Sequence, residues 1–128
     1  MAFVKLTFSN NKIKKWKYAL LKGEKDISIR DTSLFYCFSV DAGVACLFDA
    51  KHLKKAKSLN QNEWNKSFFL QKPKYESFIA KNHNIEAAVF ETGYGDGCYA
   101  TFIGYDEKGQ PSQILIDFGI IEWWKKSL

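Results

Sequence analysis

Two glycine-rich turns separate three apolar runs in residues 91–119, and this stretch constrains the fold more than any other part of the chain. The first turn is Gly-Tyr-Gly-Asp-Gly at 93–97, and the second is Asp-Glu-Lys-Gly at 106–109. Apolar runs of strand length between glycine turns are typical of an antiparallel meander. We therefore predict strands over 85–92, 98–105 and 113–121.

The first third of the chain continues this β-rich pattern. Polar and apolar residues alternate over 3–8 and 14–22, which predicts two strands with one solvated face each. Residues 34–48 are almost all apolar, so we expect two strands that are buried on both sides. Asp41-Ala42-Gly43 interrupts the run and predicts a bulge, a bend or a tight connection between them.

Helices are predicted only in the middle of the chain. Asp49 is a suitable N-cap for a lysine-rich helix, and a second helix would carry Trp64 and Phe68. Pro73 either ends that helix or begins a short one that runs to about residue 81. The predicted fold class is α+β, mainly antiparallel β, as a sandwich or strongly curved sheet with one or two helices inserted mid-chain.

Size and composition predict a single globular domain over residues 1–128. The chain is 46% hydrophobic and 16% aromatic, which is unlike a disordered segment and sufficient for a full core. No apolar run approaches the roughly 20 residues that span a bilayer. The N-terminus alternates in polarity and lacks the apolar core of a signal peptide. We therefore expect a cytoplasmic protein with no membrane partner.

The three cysteines, Cys37, Cys46 and Cys98, are odd in number, widely spaced and without a Cys-x-x-Cys pair. This spacing argues against a disulfide framework and against a zinc clip. Their neighbours are apolar or aromatic, so we expect three buried, reduced thiols. No cofactor and no metal site is predicted.

Charge is divided unevenly along the chain. Residues 1–81 hold 16 Lys/Arg and 7 Asp/Glu, a net charge of +9, whereas residues 82–128 hold 3 and 7, a net charge of −4. Arg30 is the single arginine, so bidentate recognition of phosphate is almost absent. Lysines over 12–17, with Trp16 and Tyr18, would support at most a weak nucleic-acid binder, and solvated lysine faces are the commoner explanation.

Three aspartates, Asp41, Asp96 and Asp117, lie closest to apolar or glycine-rich sequence. They would either accept backbone N–H groups or, brought together, act as an acid/base pair or hold a hard cation. Nothing in their spacing requires them to meet, and structural roles are favoured. The glycine turn at 93–97 is followed by a strand pattern and not by a helix, which excludes a dinucleotide-binding loop.

No complete catalytic set is present. A Cys/His dyad would need His52 or His83 beside Cys46 or Cys98, and no nucleophile-elbow sequence surrounds either cysteine. We therefore predict no catalytic residue and do not expect an enzyme.

Residues suited to protein binding occur in the tail and in the first glycine turn. Because adjacent strand residues face opposite sides, one of Trp123 and Trp124 would be exposed next to Lys125 as a binding anchor, unless both close the core. With Asp96 and Tyr94, these residues form the predicted partner-binding set.

Three sequence blocks resemble the family catalogued as domain of unknown function 4241. They are VDAGVACLFD at 40–49, GDGCYATFIGYD at 95–106 and IDF at 116–118, within a resemblance that spans residues 34–121. The family has no established chemistry. The resemblance implies that a set of residues serves the shared fold or a shared site: Asp41, Gly43, Gly95, Asp96, Gly97, Gly104, Asp117 and Phe118.

The leading functional prediction is a non-catalytic protein-binding module, namely an immunity protein that neutralises a bacterial contact-dependent or polymorphic toxin. It depends on the missing catalytic set, the uneven charge, and the common proximity of small bacterial proteins of this kind to such toxins, which is an association. The net charge of +5 argues against inhibition of a basic nuclease site. Either the basic chain binds an acidic face of the toxin, or the acidic C-terminal third does the binding. The alternative is a small hydrolase or ligand-binding domain that uses Asp41, Asp96 and Asp117. The oligomeric state is left open.

Overall fold

The computed structural model describes residues 2–31, 33–69 and 77–121, and these residues form eight strands in two antiparallel sheets. The strands are β1 (Phe3–Thr7), β2 (Lys15–Tyr18), β3 (Phe38–Val40), β4 (Val44–Phe48), β5 (Ser77–Asn82), β6 (Ile85–Glu91), β7 (Gly97–Tyr105) and β8 (Pro111–Asp117). The helical segments are a 3₁₀ turn (Ala50–His52), α1 (Leu53–Ser58), α2 (Gln61–Trp64) and a π-helical turn (Asn65–Phe69). The predicted fold class is thus confirmed: antiparallel β dominates, with short helices mid-chain.

β7 is the centre of the first sheet. It pairs with β8 along one side, and β1 pairs with the outer side of β8. Its other side is shared by two short strands, β2 opposite residues 102–105 and β3 opposite residues 97–99. The hairpin between β7 and β8 turns at Gly109, whose φ of +73° is a conformation that glycine adopts without strain.

The second sheet has the order β4-β6-β5, and the whole of it lies between β3 and β7 along the chain. β5 and β6 are joined by a two-residue turn, His83-Asn84, in which both residues have positive φ, as in a type I′ hairpin turn. On β6, Ile85, Ala87 and Val89 are buried against the helical segments, because strand residues alternate between faces.

Three hydrophobic clusters indicate the order of the layers. The first holds the helices against the second sheet and is built around the fully buried Phe68. The second lies between the sheets, where Phe90, Tyr99 and Phe118 pack together. The third covers the outer face of the first sheet, where Ile27 and Ile29 pack near Tyr18 and Phe102.

Two predictions about local structure are wrong. Residues 77–82 form β5 and not the end of a helix that begins at Pro73; Phe78 is half-buried, Ile79 is exposed and Ala80 is buried, which is the alternation of a strand paired with β6. The two strands within residues 34–48 are not buried on both sides. β4 is half-buried along its whole length because it lies at the edge of the second sheet, and in β3 the exposed Ser39 lies between the half-buried Phe38 and the buried Val40. No helix in the described residues is long and apolar enough to cross a membrane.

Candidate functional site

The Asp41-Ala42-Gly43 turn and the glycine-rich turn at 93–97 face each other and are joined by the Asp96 side chain. Asp96 Oδ1 accepts a hydrogen bond from the backbone N–H of Gly43 at 2.8 Å. A Cβ on Gly43, whose φ is +62°, would lie 3.4 Å from the Cα of Gly95, so the backbones approach closely here. The carboxylate of Asp96 therefore fixes the relative position of two turns that are 53 residues apart.

Hydrogen bonds within the 93–97 turn fix its shape and leave Tyr94 at its tip. The hydroxyl of Thr92 donates to the carbonyl oxygen of Gly95, and the hydroxyl of Tyr99 donates to the same oxygen at 2.9 Å. Thr92 is also bonded through its backbone N–H to the Gly43 carbonyl oxygen at 2.9 Å. Tyr94 is 71% exposed, so the turn presents an aromatic side chain to solvent.

A cavity of about 620 Å³ opens beside this turn on the outer face of the first sheet. We call it the acidic cleft. Its described lining residues come from β2, from residues 29–35, from the 93–97 turn, and from β7 and the end of β8: Tyr18, Ile29, Asp31, Leu34, Phe35, Tyr94, Asp96, Gly97, Cys98, Tyr99, Ala100, Phe102, Asp117, Phe118 and Gly119.

Three carboxylates line the acidic cleft, and no lysine or arginine is among its described lining residues. They are Asp31, Asp96 and Asp117. Hydrogen bonds from the hydroxyl and the backbone N–H of Ser33 hold the pKa of Asp31 below its usual range, so this group is ionised at neutral pH. Asp117 is buried and accepts from the backbone N–H of Gly119 at 2.9 Å.

The rim of the acidic cleft is apolar and exposed. Leu34 and Phe35 are 52% and 58% exposed, and with Tyr94 they place three large apolar side chains around the carboxylates. Phe35 meets the ring of Tyr18 edge-on at a centroid distance of 6.5 Å. Exposed apolar surface of this kind, bordered by polar groups, is typical of a contact surface for another molecule.

Cys37 and Cys98 form a disulfide bond beside the acidic cleft, with their Cα atoms 5.3 Å apart. Both residues are exposed, so the prediction of three buried, reduced thiols is wrong for this pair. The pairing of β3 with β7 brings the two cysteines together across 61 residues. Cys46 is a free thiol as predicted, but it is only partly buried; burial raises its pKa to about 11.

The structure brings together only part of the predicted site. Asp96 and Tyr94 both line the acidic cleft, and Asp117 joins them there. Asp41 is exposed and is absent from the described lining, because its turn approaches the other through the backbone of Gly43. Trp123, Trp124 and Lys125 lie outside the described residues.

The two histidines lie away from the acidic cleft. Both line a shallow cavity of about 540 Å³ near the β5–β6 turn, and no cysteine is among its described lining residues. His83 Nε2 is 3.0 Å from the hydroxyl of Ser67, which is buried. Within the described residues, no group of three or more His, Cys, Asp or Glu side chains is placed to hold a metal ion.

A second cavity, also of about 620 Å³, contains most of the predicted lysine cluster. Lys14, Lys15, Lys17 and Trp16 line it together with Arg30. We call this cavity the basic cleft. Ile29 lines both the basic cleft and the acidic cleft, so residues 27–31 separate the two clefts. Nucleic-acid binding by these lysines remains a prediction.

Among the described residues, Asp31 of the acidic cleft and Asp106 are hydrogen-bonded carboxylates that the sequence analysis did not single out, and Asp106 has the larger set of bonds. Its Oδ1 accepts from the backbone N–H groups of Lys108 and Gln110, both at 2.9 Å, and its Oδ2 accepts from the Asn11 amide at 2.8 Å. The bond from Gln110, then the one from Asn11, lowers the pKa of Asp106. An aspartate before a Lys-Gly turn is a signal for such an arrangement, but the bond to Asn11 depends on the tertiary fold.

A model of the family described as "Protein of unknown function (DUF4241)" matches residues 1–116. The predicted resemblance is therefore confirmed, and the match extends to the N-terminal strands that the resemblance did not cover. Asp117 and Phe118 follow immediately after the matched range. No curated protein and no solved structure matches the chain.

Proposed function

Because the chain belongs to the DUF4241 family, whose function is unknown, we propose its function from its own residues: a non-catalytic protein-binding module that holds its partner at the acidic cleft. The observation that carries this proposal is the composition of the cleft. It combines three carboxylates with three exposed, large apolar side chains and has no lysine or arginine among its described lining residues.

The exposed aromatic residues and the carboxylates of the acidic cleft have different roles in the proposed binding of a partner. Tyr94 and Phe35 supply the buried contact area, since aromatic side chains that become desolvated contribute most of the free energy of many protein interfaces. Asp31 and Asp96 select a partner surface that carries Lys or Arg, because complementary charges accelerate association and exclude like-charged partners. The preferred partner surface is therefore basic with an apolar centre.

We propose a bacterial toxin domain as the partner, so that the chain is its immunity protein and works in the cytoplasm. Surfaces that bind nucleic acid are rich in lysine and arginine, and a nuclease toxin would present such a surface. Asp96 and Asp117 belong to the acidic C-terminal third, so a chain of net charge +5 still has an acidic binding site. Partner binding by Trp123, Trp124 and Lys125, which lie outside the described residues, remains a prediction.

The test is co-purification of the tagged chain with the products of the neighbouring genes, followed by measurement of the Kd of the complex. Phe35→Ala and Tyr94→Ala should each raise the Kd by about tenfold or more, because each removes an aromatic contact. Leu21→Ala is the matched control, since Leu21 is 77% exposed and lies outside the acidic cleft. Trp124→Ala reports whether the tail contributes.

Two results would contradict the proposal. One is that no product of a neighbouring gene binds the chain at stoichiometric amounts. The other is that Leu21→Ala weakens the complex as much as Tyr94→Ala, because the contact would then lie elsewhere on the surface.

A second candidate function is the binding of a small cationic ligand. The observation in its favour is that Asp96 and Asp117 line one cavity whose volume, about 620 Å³, is in the range of ligand sites. Asp41, the third aspartate of the predicted hydrolase site, is not among the described lining residues of this cavity. Thermal denaturation in the presence of spermidine tests the binding version: a rise in Tm that Asp96→Asn abolishes supports it, and an unchanged Tm contradicts it.

A further inference from the structure

We propose that the Cys37–Cys98 disulfide is a thiol-exchange site, and that its reduction by a dithiol opens the acidic cleft. This inference rests on the proposed function, since it concerns the regulation of the same cleft. It rests on three observations: both cysteines are exposed, Cys98 lines the cleft, and Cys37 is two residues beyond Phe35 of the apolar rim.

The chemistry requires one dithiol per disulfide. A thiolate of the dithiol attacks one sulfur of the pair, the bond between the two cysteines breaks, and a mixed disulfide forms. The second thiol of the reagent then attacks the mixed disulfide and becomes part of a cyclic disulfide. The protein thereby gains two electrons and two protons, and Cys37 and Cys98 become free thiols.

The disulfide is the strongest link between residues 33–37 and the body of the protein. Among the contacts that the structure describes, this segment is also held by a hydrogen bond from the backbone N–H of Lys25 to the Tyr36 hydroxyl at 3.2 Å and by two edge-on ring contacts with Tyr18. Tyr36 also packs against the third hydrophobic cluster, and Ser33 donates two hydrogen bonds to Asp31. β3, which follows, pairs with β7 over three residues. When the disulfide is reduced, Leu34 and Phe35 lose their covalent attachment to β7.

Cys46 does not interfere with this exchange. Its thiol is partly buried in the second sheet, and burial raises its pKa to about 11, so it is almost entirely protonated at pH 8. Since the thiolate is the reactive form, Cys46 reacts slowly with the other two cysteines and with reagents. Reduction therefore yields two reactive thiols that re-form the original pair on oxidation.

The proposed cytoplasmic location favours an exchange site over a permanent cross-link. Disulfides are rare in the reducing cytoplasm of most organisms, and those that occur there are usually catalytic or redox-sensing. An exposed disulfide at the edge of a binding cleft fits the second class, because access for the dithiol is what a sensing bond needs.

The first test compares hydrogen exchange in the full chain before and after treatment with dithiothreitol. We expect amide exchange in β3, which pairs with β7 next to the disulfide, to accelerate about tenfold or more on reduction, while β6 keeps its protection, because residues 33–40 open locally. The Cys37→Ser/Cys98→Ser double variant should behave like the reduced protein without reagent. Cys46→Ala is the matched control and should respond to dithiothreitol as the natural chain does.

Maleimide labelling followed by intact mass measurement is the second test. We expect no label on Cys37 or Cys98 in the air-oxidised native chain, two labels after reduction, and a third, on Cys46, only after denaturation. Two labels before reduction would overturn the proposal, because no disulfide would then exist.

Two exchange results would also overturn the proposal. Unchanged exchange in β3 would mean that the disulfide does not hold the rim and the strand that follows it. Loss of protection throughout β6 would mean that it holds the whole fold together and does not control the cleft. Neither measurement needs a partner, so this proposal can fail while the proposed function stands. A change in the Kd of the partner complex on reduction would then connect the disulfide with partner binding.

Discussion

Asp96 and Asp41 occupy facing glycine turns, but in the described structure only Asp96 bonds across from one turn to the other. We expect Asp96→Ala to lower the free energy of unfolding by about 1 kcal/mol, the usual contribution of such a hydrogen bond. Asp41→Ala is the control and should change it by less than about 0.5 kcal/mol, as is usual for an exposed residue. Urea denaturation of both variants measures the difference, and equal effects would contradict the role of Asp96.

Asp106 should make stability depend on pH in the acid range. Its folded-state pKa is lowered, so the ionised carboxylate contributes its full stabilisation above the ordinary value of about 3.9, and the contribution is lost as pH falls through the lowered pKa. Asp106→Ala should therefore lower Tm at pH 7 by several degrees, and the difference from the natural chain should shrink below about pH 4.

Glu107→Ala is the control for Asp106, because Glu107 is the exposed neighbour in the same turn. Its Tm should follow that of the natural chain from pH 7 to pH 2. A difference between Asp106→Ala and the natural chain that stays constant over this range would mean that the ionised form has no special role.

Asp96 and Asp106 show which hydrogen bonds of a single residue can be predicted from the sequence. A short aspartate side chain in a turn predicts that it accepts backbone N–H groups, and both do. The two donors differ in their separation along the chain: Lys108 is two residues from Asp106, whereas Gly43 is 53 residues from Asp96. The first partner follows from local geometry, and the second exists only because the fold brings the two turns together.

Within the first sheet, Gly104 on β7 makes room for a side chain of β2. A Cβ at this position would lie 2.9 Å from Cδ1 of Ile13, a distance that real Cβ atoms essentially never show, and 3.0 Å from the ring of Trp16, which is tighter than most such contacts. We expect Gly104→Ala to lower the free energy of unfolding by about 1–3 kcal/mol through overpacking. This explains in physical terms one glycine of the motif at 95–106.

The test of this contact is a double-mutant cycle with Trp16→Leu. If the ring is the obstacle, Gly104→Ala should cost less in the Trp16→Leu background, so the two effects should not add. Strict additivity in chemical denaturation would show that the alanine acts through something other than the Trp16 ring.

Strands and turns were predicted where neighbouring residues carry the signal, and they were missed where the structure depends on residues far apart along the chain. The β7–β8 hairpin was predicted because its turn contains Gly109 and both strands are strongly apolar. β5 was missed because its turn, His83-Asn84, has no glycine although both residues have positive φ, and because pairing with β6 decides which residues are buried. The disulfide was missed since Cys37 and Cys98 meet only through the pairing of β3 with β7.

In the whole molecule, Phe118 lies in the cluster between the two sheets. It is 2% exposed and contacts Phe90 of the second sheet and Tyr99 of the first, with ring centroids 6.2 Å and 5.1 Å away. We expect Phe118→Ala to lower the free energy of unfolding by about 3–5 kcal/mol, because a large cavity replaces the ring. Urea denaturation followed by far-UV circular dichroism measures this loss.

Phe8→Ala is the control for this prediction. Phe8 is 56% exposed and is absent from all three hydrophobic clusters among the described residues, so its removal should change the free energy of unfolding by less than about 1 kcal/mol. Similar losses for the two phenylalanines would mean that the contact between the sheets contributes little. The sequence predicted either a sandwich or a curved sheet, and only tertiary contacts such as those of Phe118 distinguish the two.

The position of the disulfide also has a mechanical consequence. The entire second sheet lies between Cys37 and Cys98 along the chain, so a force applied to the two termini bypasses it while the bond is intact. An extended chain gains at most about 3.3–3.6 Å per residue, so the 61-residue separation corresponds to roughly 200 Å of contour length that only the reduced protein can release. Single-molecule stretching from the termini would therefore record two contour lengths, one for each redox state of the same chain.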